Sequence, residues 1–382
     1  MIAVRTQAEL DSALTGLDQA SGGERHRPVG LVPTMGYLHA GHESLLTRSR
    51  DDGCITVLSV FVNPLQFGPN EDFDRYPRDE ARDLEIAERC GVQIAYVPDA
   101  EALLPQVPRT VIRVPSLMER MCALSRPGHF EGVAAIVVRL FSAVHPDVAY
   151  FGEKDAQQLA IVRQVALDLR IPVRVVGVPT VRERDGLAMS SRNAYLRPDE
   201  RGHAQTLYRA LTAGRAAIDE GERDPARVGH LMRDVLSSEF GVRPEYAEVV
   251  EPDHLQVPAR TLGRTLLAVA ARVGSARLID NFRLWVPLEG LSTVLVDDPV
   301  GRAALGLEDP VVERARGVLE SELGPGSRSW AIDASLALKG APVLDTGTVR
   351  AVLGGVRSAP GVPAMKPEPE LLDRLARTIA SS

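Results

Sequence analysis

Two histidines three residues apart, His39 and His42, close the run Pro33-Thr34-Met35-Gly36-Tyr37-Leu38-His39-Ala40-Gly41-His42. Where such a turn becomes helical, residues three apart share one side, so both imidazoles face the same way. Gly36 and Gly41 let the backbone approach a ligand, and a helix start offers unpaired N–H groups to an anion. Two imidazole donors there suit a triphosphate whose negative charge grows as a bond to phosphorus breaks. Taken singly, each histidine is better explained by surface or core packing; the glycine-spaced pair directly after an apolar run favours the chemistry. No acid or cysteine lies at a spacing that would complete a zinc site.

Four further stretches carry polar groups of the same kind. In Phe61-Val62-Asn63-Pro64-Leu65-Gln66-Phe67 the proline ends a strand, leaving Asn63 and Gln66 to orient a hydroxy acid, or simply to face solvent in a turn. Arg126, in the glycine-flanked loop 125–132, has the fork to grip a carboxylate, or is an ordinary surface arginine. Gly152-Glu153-Lys154-Asp155 presents a point charge beside a helix start, with Asp155 placed to cap that helix or hold a ribose hydroxyl, and Gln158 one turn on. Met189-Ser190-Ser191-Arg192-Asn193 is a compact donor cluster for phosphate oxygens, or a polar loop. There is no Gly-x-x-x-x-Gly-Lys-Ser/Thr loop, no Gly-x-Ser-x-Gly elbow and no Cys/His nucleophile arrangement. The inventory suits nucleotide activation by positioning and electrostatics, without a covalent enzyme intermediate.

These groups need a scaffold. β-Branched runs at 29–33, 55–62, 92–97, 148–151 and 173–178 alternate with helical patterns at 43–50, 78–89, 133–144 and 156–169. That alternation predicts βαβ units and a Rossmann-like, doubly wound parallel sheet. Ligands in such sheets sit beyond the carboxyl ends of the strands, where the strand order reverses. Thr6-x-x-Glu9 reads as a capping box. After residue 180 the pattern changes to helices at 197–220 and 225–239 and strands at 246–250 and 265–273. Three parts follow: 1–180, binding nucleotide and substrate; 181–288, a smaller α+β lid domain; and 289–382, an extra C-terminal segment rich in Pro and Gly, with short helices expected at 310–323 and 369–379. The 382 residues are 45% hydrophobic and 25% charged with a net charge of −7, a globular balance that does not suggest a nucleic-acid binder. No apolar run reaches membrane-spanning length, no secretory signal pattern opens the chain, and three scattered cysteines form no disulfide framework. A cytoplasmic enzyme is expected.

In this order, the five motifs resemble those of the pantothenate synthetase family over residues 1–288. That family belongs to the nucleotidyltransferases whose helix-borne His-x-x-His handles ATP phosphates. The resemblance implies condensation of (R)-pantoate with β-alanine, ATP being cleaved to AMP and pyrophosphate through a pantoyl adenylate. Carried over by motif, Pro33, Thr34, Met35, Gly36, Tyr37, Leu38, His39, Ala40, Gly41 and His42 line the ATP site, with His42 as proton donor. Gly152, Glu153, Lys154, Asp155, Val181, Met189, Ser190, Ser191 and Arg192 complete it, while Gln66, Gln158, Asn63 and Arg126 hold pantoate and β-alanine. His39, His42, Lys154, Ser190, Ser191 and Arg192 would neutralise charge on the leaving pyrophosphate. Mg²⁺ is implied beside ATP, with Asp83 matching an assisting acid, and so is a homodimer. Two departures stand out: the helix after Gly132 carries Ala135 and Arg139 where the family more often has threonine and lysine, and the larger one is the tail 289–382, which the family core lacks. An adenylyltransferase acting on another substrate, and a non-catalytic nucleotide-binding scaffold, are the competing readings.

Overall fold

Short aliphatic runs flanked by helices become a parallel sheet because both of their faces can be buried. The computed structural model describes residues 1–20, 27–69, 71–104, 106, 108–286 and 294–295. Its parallel strands are β1 (Ile2–Val4), β2 (Val29–Thr34), β3 (Ile55–Val60), β4 (Ile94–Tyr96), β5 (Val148–Gly152) and β6 (Arg174–Val178). They lie in the order β1-β4-β3-β2-β5-β6. From β2 the chain runs outward through β3 and β4 on one side, then returns to build β5 and β6 on the other. The order therefore reverses between β2 and β5, which pair through Gly30↔Val148 and Leu31↔Ala149. The crevice beyond that pair is where a doubly wound sheet binds ligands.

The helices are α1 (Gln7–Ala20), α2 (Ala40–Asp51), α3 (Glu80–Arg89), α4 (Ala100–Leu103), α5 (Cys122–Ser125), α6 (His129–Val144), α7 (Ala156–Asp168), α8 (Pro198–Ala204), α9 (Thr206–Asp219) and α10 (Pro225–Ser238). One face of the sheet packs Leu10 of α1, Val137, Leu140 and Phe141 of α6, and Leu159 and Val162 of α7. The other packs Leu45 and Leu46 of α2 with Ile86 and Ala87 of α3. Layers on both faces make the sheet doubly wound, as expected. The capping box at α1 forms: Glu9 Oε2 accepts from Thr6 N–H at 3.0 Å, and Thr6 Oγ1 accepts from Glu9 N–H at 3.3 Å. Asp155 does not cap α7, since it makes no side-chain cap bond. The departure at Arg139 is accommodated by a bond from its Nη1 to the Leu103 carbonyl, 2.7 Å.

Beyond β6 the sheet type changes, with β7 (Val242–Val250), β8 (Gly263–Val273), β9 (Ala276–Val286) and β10 (Val294–Leu295). β7 and β8 pair antiparallel from Val242↔Val273 to Val250↔Leu266, with a bulge between Pro244 and Tyr246, where proline has no N–H for the ladder. The single helix expected over 197–220 is two, α8 and α9, joined at Gln205. β1 and β9 were not anticipated. The chain divides into two compact units, Met1–Arg260 with Leu266–Asn281, and Thr261–Thr265 with Phe282–Ser382. In the second, β10 pairs antiparallel with the end of β9, Val294↔Trp285 and Leu295↔Leu284. Apart from β10, the extra segment and its expected helices lie outside the described residues. No helix among the described residues is long and apolar enough to cross a membrane.

Candidate active site

β2 ends in a loop whose course is set by one buried carboxylate. Gly36 takes φ +79° and Tyr37 φ +52°, and the Tyr37 and Leu38 N–H groups turn onto Asp83 of α3. Tyr37 N–H donates to Oδ2 at 2.7 Å and Leu38 N–H to Oδ1 at 2.6 Å. A Cβ on Gly36 would stand 2.8 Å from Asp83 Oδ2, so glycine is required by space as well as by φ. This corrects the reading of Asp83 as an acid for Mg²⁺. It is 1% exposed and each oxygen already receives a backbone N–H, so it shapes the loop.

The loop delivers His39 and His42 to the start of α2 as a cap made of imidazoles. His39 is the N-cap: its Nδ1 accepts from Gly41 N–H at 3.1 Å, while its own N–H donates to His42 Nδ1 at 3.3 Å. Both Nδ1 atoms being acceptors, each neutral ring carries its proton on Nε2. The rings lie 4.1 Å apart. Burial lowers the His39 pKa to about 4, helped by Lys154 and Arg82, and burial with His39 and Lys154 takes His42 well below its usual value. With both Nδ1 atoms occupied, the pair presents its two Nε2–H groups as donors for an anion in the crevice.

Across the crevice, β3 runs into Asn63 and a 3₁₀ turn. Asn63 is 1% exposed and its amide is fully engaged: Oδ1 accepts from Leu65 N–H, and Nδ2 donates to Gln66 Oε1 at 3.0 Å and to the Gly132 carbonyl at 3.1 Å. Asn63 thus sets Gln66, whose Nε2 points to Met35 Sδ at 3.0 Å, and has no hydrogen left for a substrate. Arg126 is also committed. Its fork grips Glu71 at 2.7 and 2.5 Å, and its Nη1 donates to His129 Nε2 at 2.9 Å. His129 Nδ1–H donates to the Gln66 carbonyl at 2.8 Å, the opposite tautomer from the cap pair. Burial, with Arg126 adjacent, lowers its pKa to about 3.

β5 supplies Lys154, whose Nζ donates to the Met189 carbonyl at 3.2 Å. Arg126 and Arg192 each hold an acid, so among the described residues lining the crevice Lys154 is the cation without a carboxylate in ion-pair contact. Arg192 is held by Asp72 through two 3.0 Å bonds and lies 5.9 Å from the Tyr76 ring. Neighbouring glutamines divide the work on α7: Gln157 is buried and bonds Cys122, Leu117 and Arg120 backbone, whereas Gln158 faces the crevice.

One crevice is lined by Pro33, Thr34, Met35, His39, Gly41, His42, Asn63, Gln66, Arg126, Gly152, Lys154, Asp155, Gln158, Val181, Met189, Ser190, Ser191 and Arg192. Of the expected residues Gly36, Tyr37, Leu38, Ala40 and Glu153 do not line it; Leu38 is in the core and Glu153 is 4% exposed. The sequence reading missed Tyr76, His129, Glu71 and Asp72. It also missed an apolar wall from α6, Val133, Ile136, Val137 and Leu140, although that spacing is one helix stripe and was legible.

By fold and crevice the chain is a doubly wound α/β protein with a donor-lined cleft at its topological switch point. The family model for pantoate-beta-alanine ligase matches residues 3–283. A pantothenate synthetase from Caldicellulosiruptor bescii is 49% identical over 255 residues, 67% of this chain and 90% of the relative. The chain belongs to the pantoate–β-alanine ligase family, and is an enzyme of the ligase class. A crystal structure of pantothenate synthetase from Thermus thermophilus matches with a TM-score of 0.69 and 46% identity, covering 74% of this chain and 98% of that one. A Francisella tularensis pantoate-beta-alanine ligase, complexed with beta-gamma ATP and β-alanine, matches at 0.60 and 28% identity over 74% and 97%.

Proposed function

We propose that this chain condenses (R)-pantoate with β-alanine at the cost of ATP, through a pantoyl adenylate. The observation that carries the reading is the convergence on one switch-point crevice of the imidazole cap, Lys154, the Ser190–Arg192 loop and the two glutamines Gln66 and Gln158. In the first step a pantoate carboxylate oxygen attacks the α-phosphorus and the bond to pyrophosphate breaks. Charge grows on the leaving oxygens, where the Lys154 ammonium, the Ser190 and Ser191 hydroxyls and the Nε2–H groups of His39 and His42 are available. The Arg192 guanidinium, neutralised by Asp72, acts there as an oriented donor more than as free charge. Gln66 and Gln158 orient pantoate, whose dimethyl carbon suits the apolar stripe of α6. In the second step the β-alanine amine attacks the acyl carbon, the bond to AMP breaks, and the amine gives up its proton as the amide forms.

Among the described residues no group of three or more His, Cys, Asp or Glu could hold a metal ion, and Asp83, Glu71 and Asp72 have other partners. Mg²⁺ therefore belongs to this reading as the companion of ATP on its phosphate oxygens, and no step is assigned to it. The reading places the reaction in residues 1–288, with 1–180 binding the substrates and 181–288 completing the nucleotide site, in a cytoplasmic homodimer. No activity is assigned to 289–382, and truncation after Leu288 with retained turnover supports that division. The deciding experiment is AMP release with pantoate and β-alanine omitted in turn, together with pyrophosphate exchange. Exchange requiring pantoate but not β-alanine is expected. Exchange without pantoate, or AMP release indifferent to β-alanine, refutes the reading.

A further inference from the structure

The turn carrying Lys154 and the loop carrying Ser190 and Arg192 reach the crevice from different parts of the chain. Asp155, at the N-cap position of α7, makes no cap bond. The turn is gripped instead by one amide from β9: Asn281 Nδ2 donates to the Glu153 carbonyl at 3.0 Å and to the Lys154 carbonyl at 2.8 Å, using both its hydrogens. The preceding residue, Asp280, takes the Arg182 guanidinium as a fork, from Nη1 at 2.6 Å and Nη2 at 2.9 Å. Arg182 also donates to the Gly186 carbonyl at 3.1 Å and the Asn281 carbonyl at 3.0 Å. Those bonds hold a short hairpin in which Arg182 faces Ala188 and Met189 N–H returns to the Val181 carbonyl at 2.9 Å. Ser190, Ser191 and Arg192 emerge directly from it. Asp280 and Asn281 are 3% and 2% exposed, and neither lines the crevice. Adjacent residues on a strand point to opposite faces, so Asp280 can hold the Arg182 hairpin while Asn281 Nδ2 holds the Lys154 turn.

We propose that Asp280 and Asn281 are positioning residues for the reaction: a two-residue bracket on β9 that sets the spacing between the Lys154 ammonium and the Ser190–Arg192 loop. The inference rests on reading the crevice as an ATP site. A point charge acts through its distance to the leaving oxygens, so a shift of the turn by about 1 Å costs rate even though every donor is present.

The test is a double-mutant cycle in the full chain, reading ATP affinity by titration with kcat and the KM values for ATP and pantoate. Asn281→Asp removes both hydrogens and sets a carboxylate against two carbonyls, while Asn281→Ser keeps one donor. The expected result is an ATP Kd and KM raised about tenfold or more by Asn281→Asp and less by Asn281→Ser, with the pantoate KM held within about twofold. In a Lys154→Ala background, Asn281→Asp should cost no more than about twofold further, because its effect runs through that lysine. A purely structural role would lower Tm, leave both KM values unchanged and add in full to Lys154→Ala. That outcome, or failure of both Asn281 variants to fold, overturns the bracket. A wild-type chain that binds ATP yet makes no pantothenate refutes the reaction alone, and the bracket is then read from ATP affinity. One that binds no ATP overturns both.

Discussion

Replacing Asp83 with asparagine separates two jobs a carboxylate can do beside a nucleotide. In this structure its oxygens take the Tyr37 and Leu38 N–H groups at 2.7 and 2.6 Å in a site 1% exposed. An asparagine keeps one acceptor and turns an NH₂ toward the other N–H, so a charge-assisted bond is lost and a buried donor is orphaned. Together these cost about 2–4 kcal/mol, which in a chain of this size lowers Tm by roughly 2–5 °C. The loop leads straight into the imidazole cap, so its displacement should reduce turnover roughly 100-fold. The assay is pyrophosphate release at saturating ATP and pantoate over a Mg²⁺ titration, with thermal unfolding in parallel. If Asp83 shapes the loop, added Mg²⁺ restores nothing. Activity recovering as Mg²⁺ rises, with Tm unchanged, would return Asp83 to the metal and refute the argument.

Gly41→Ala puts a Cβ 2.9 Å from the His39 ring; a gain in helix propensity of about 1 kcal/mol offsets the damaged cap, so turnover should fall about tenfold while Tm holds within a few degrees. Asn63→Ala strips Gln66 Oε1 and the Gly132 carbonyl of their donor and should raise the pantoate KM while sparing the ATP KM, read by steady-state kinetics. Arg192→Lys loses the two-bond fork to Asp72 and should raise the ATP KM about tenfold, whereas an unchanged value would make that fork dispensable. His39 and His129 have pKa values lowered to about 4 and about 3, so the unfolded chain takes up their protons first as pH falls. Their contribution to stability is complete above about pH 6.5 and is lost progressively below it. Unfolding followed from neutral to mildly acid pH should show that decline, and His129→Gln should flatten it.

The parallel sheet was legible because its strands are buried on both faces and so read as unbroken aliphatic runs. β9 was not, because Asp280 and Asn281 interrupt Ala276–Val286 with polar residues whose burial only tertiary partners explain. β1, three residues long, is below what any periodicity can register. In the crevice, residue types at strand ends pointed to the right segments, since sheet topology brings those ends together. What the types could not convey is prior commitment: Arg126, Arg192, Asn63 and Asp83 carry the expected groups, but each is engaged by another residue of the chain. Glu71 and Asp72, which hold the two arginines, lie in a loop that no pattern singles out.

The imidazole cap also bears on how any histidine substitution here is to be understood. On each ring one nitrogen belongs to the backbone and the other is left for chemistry, so deleting the ring uncaps α2 and disarms the crevice at one stroke. Asparagine at position 39 would divide them, because its short carbonyl caps helices well but cannot present a second donor at the far edge of a ring. The protein's first helix turn beyond β2 is in this sense built out of its own reagents, and architecture and reactivity there share the same atoms.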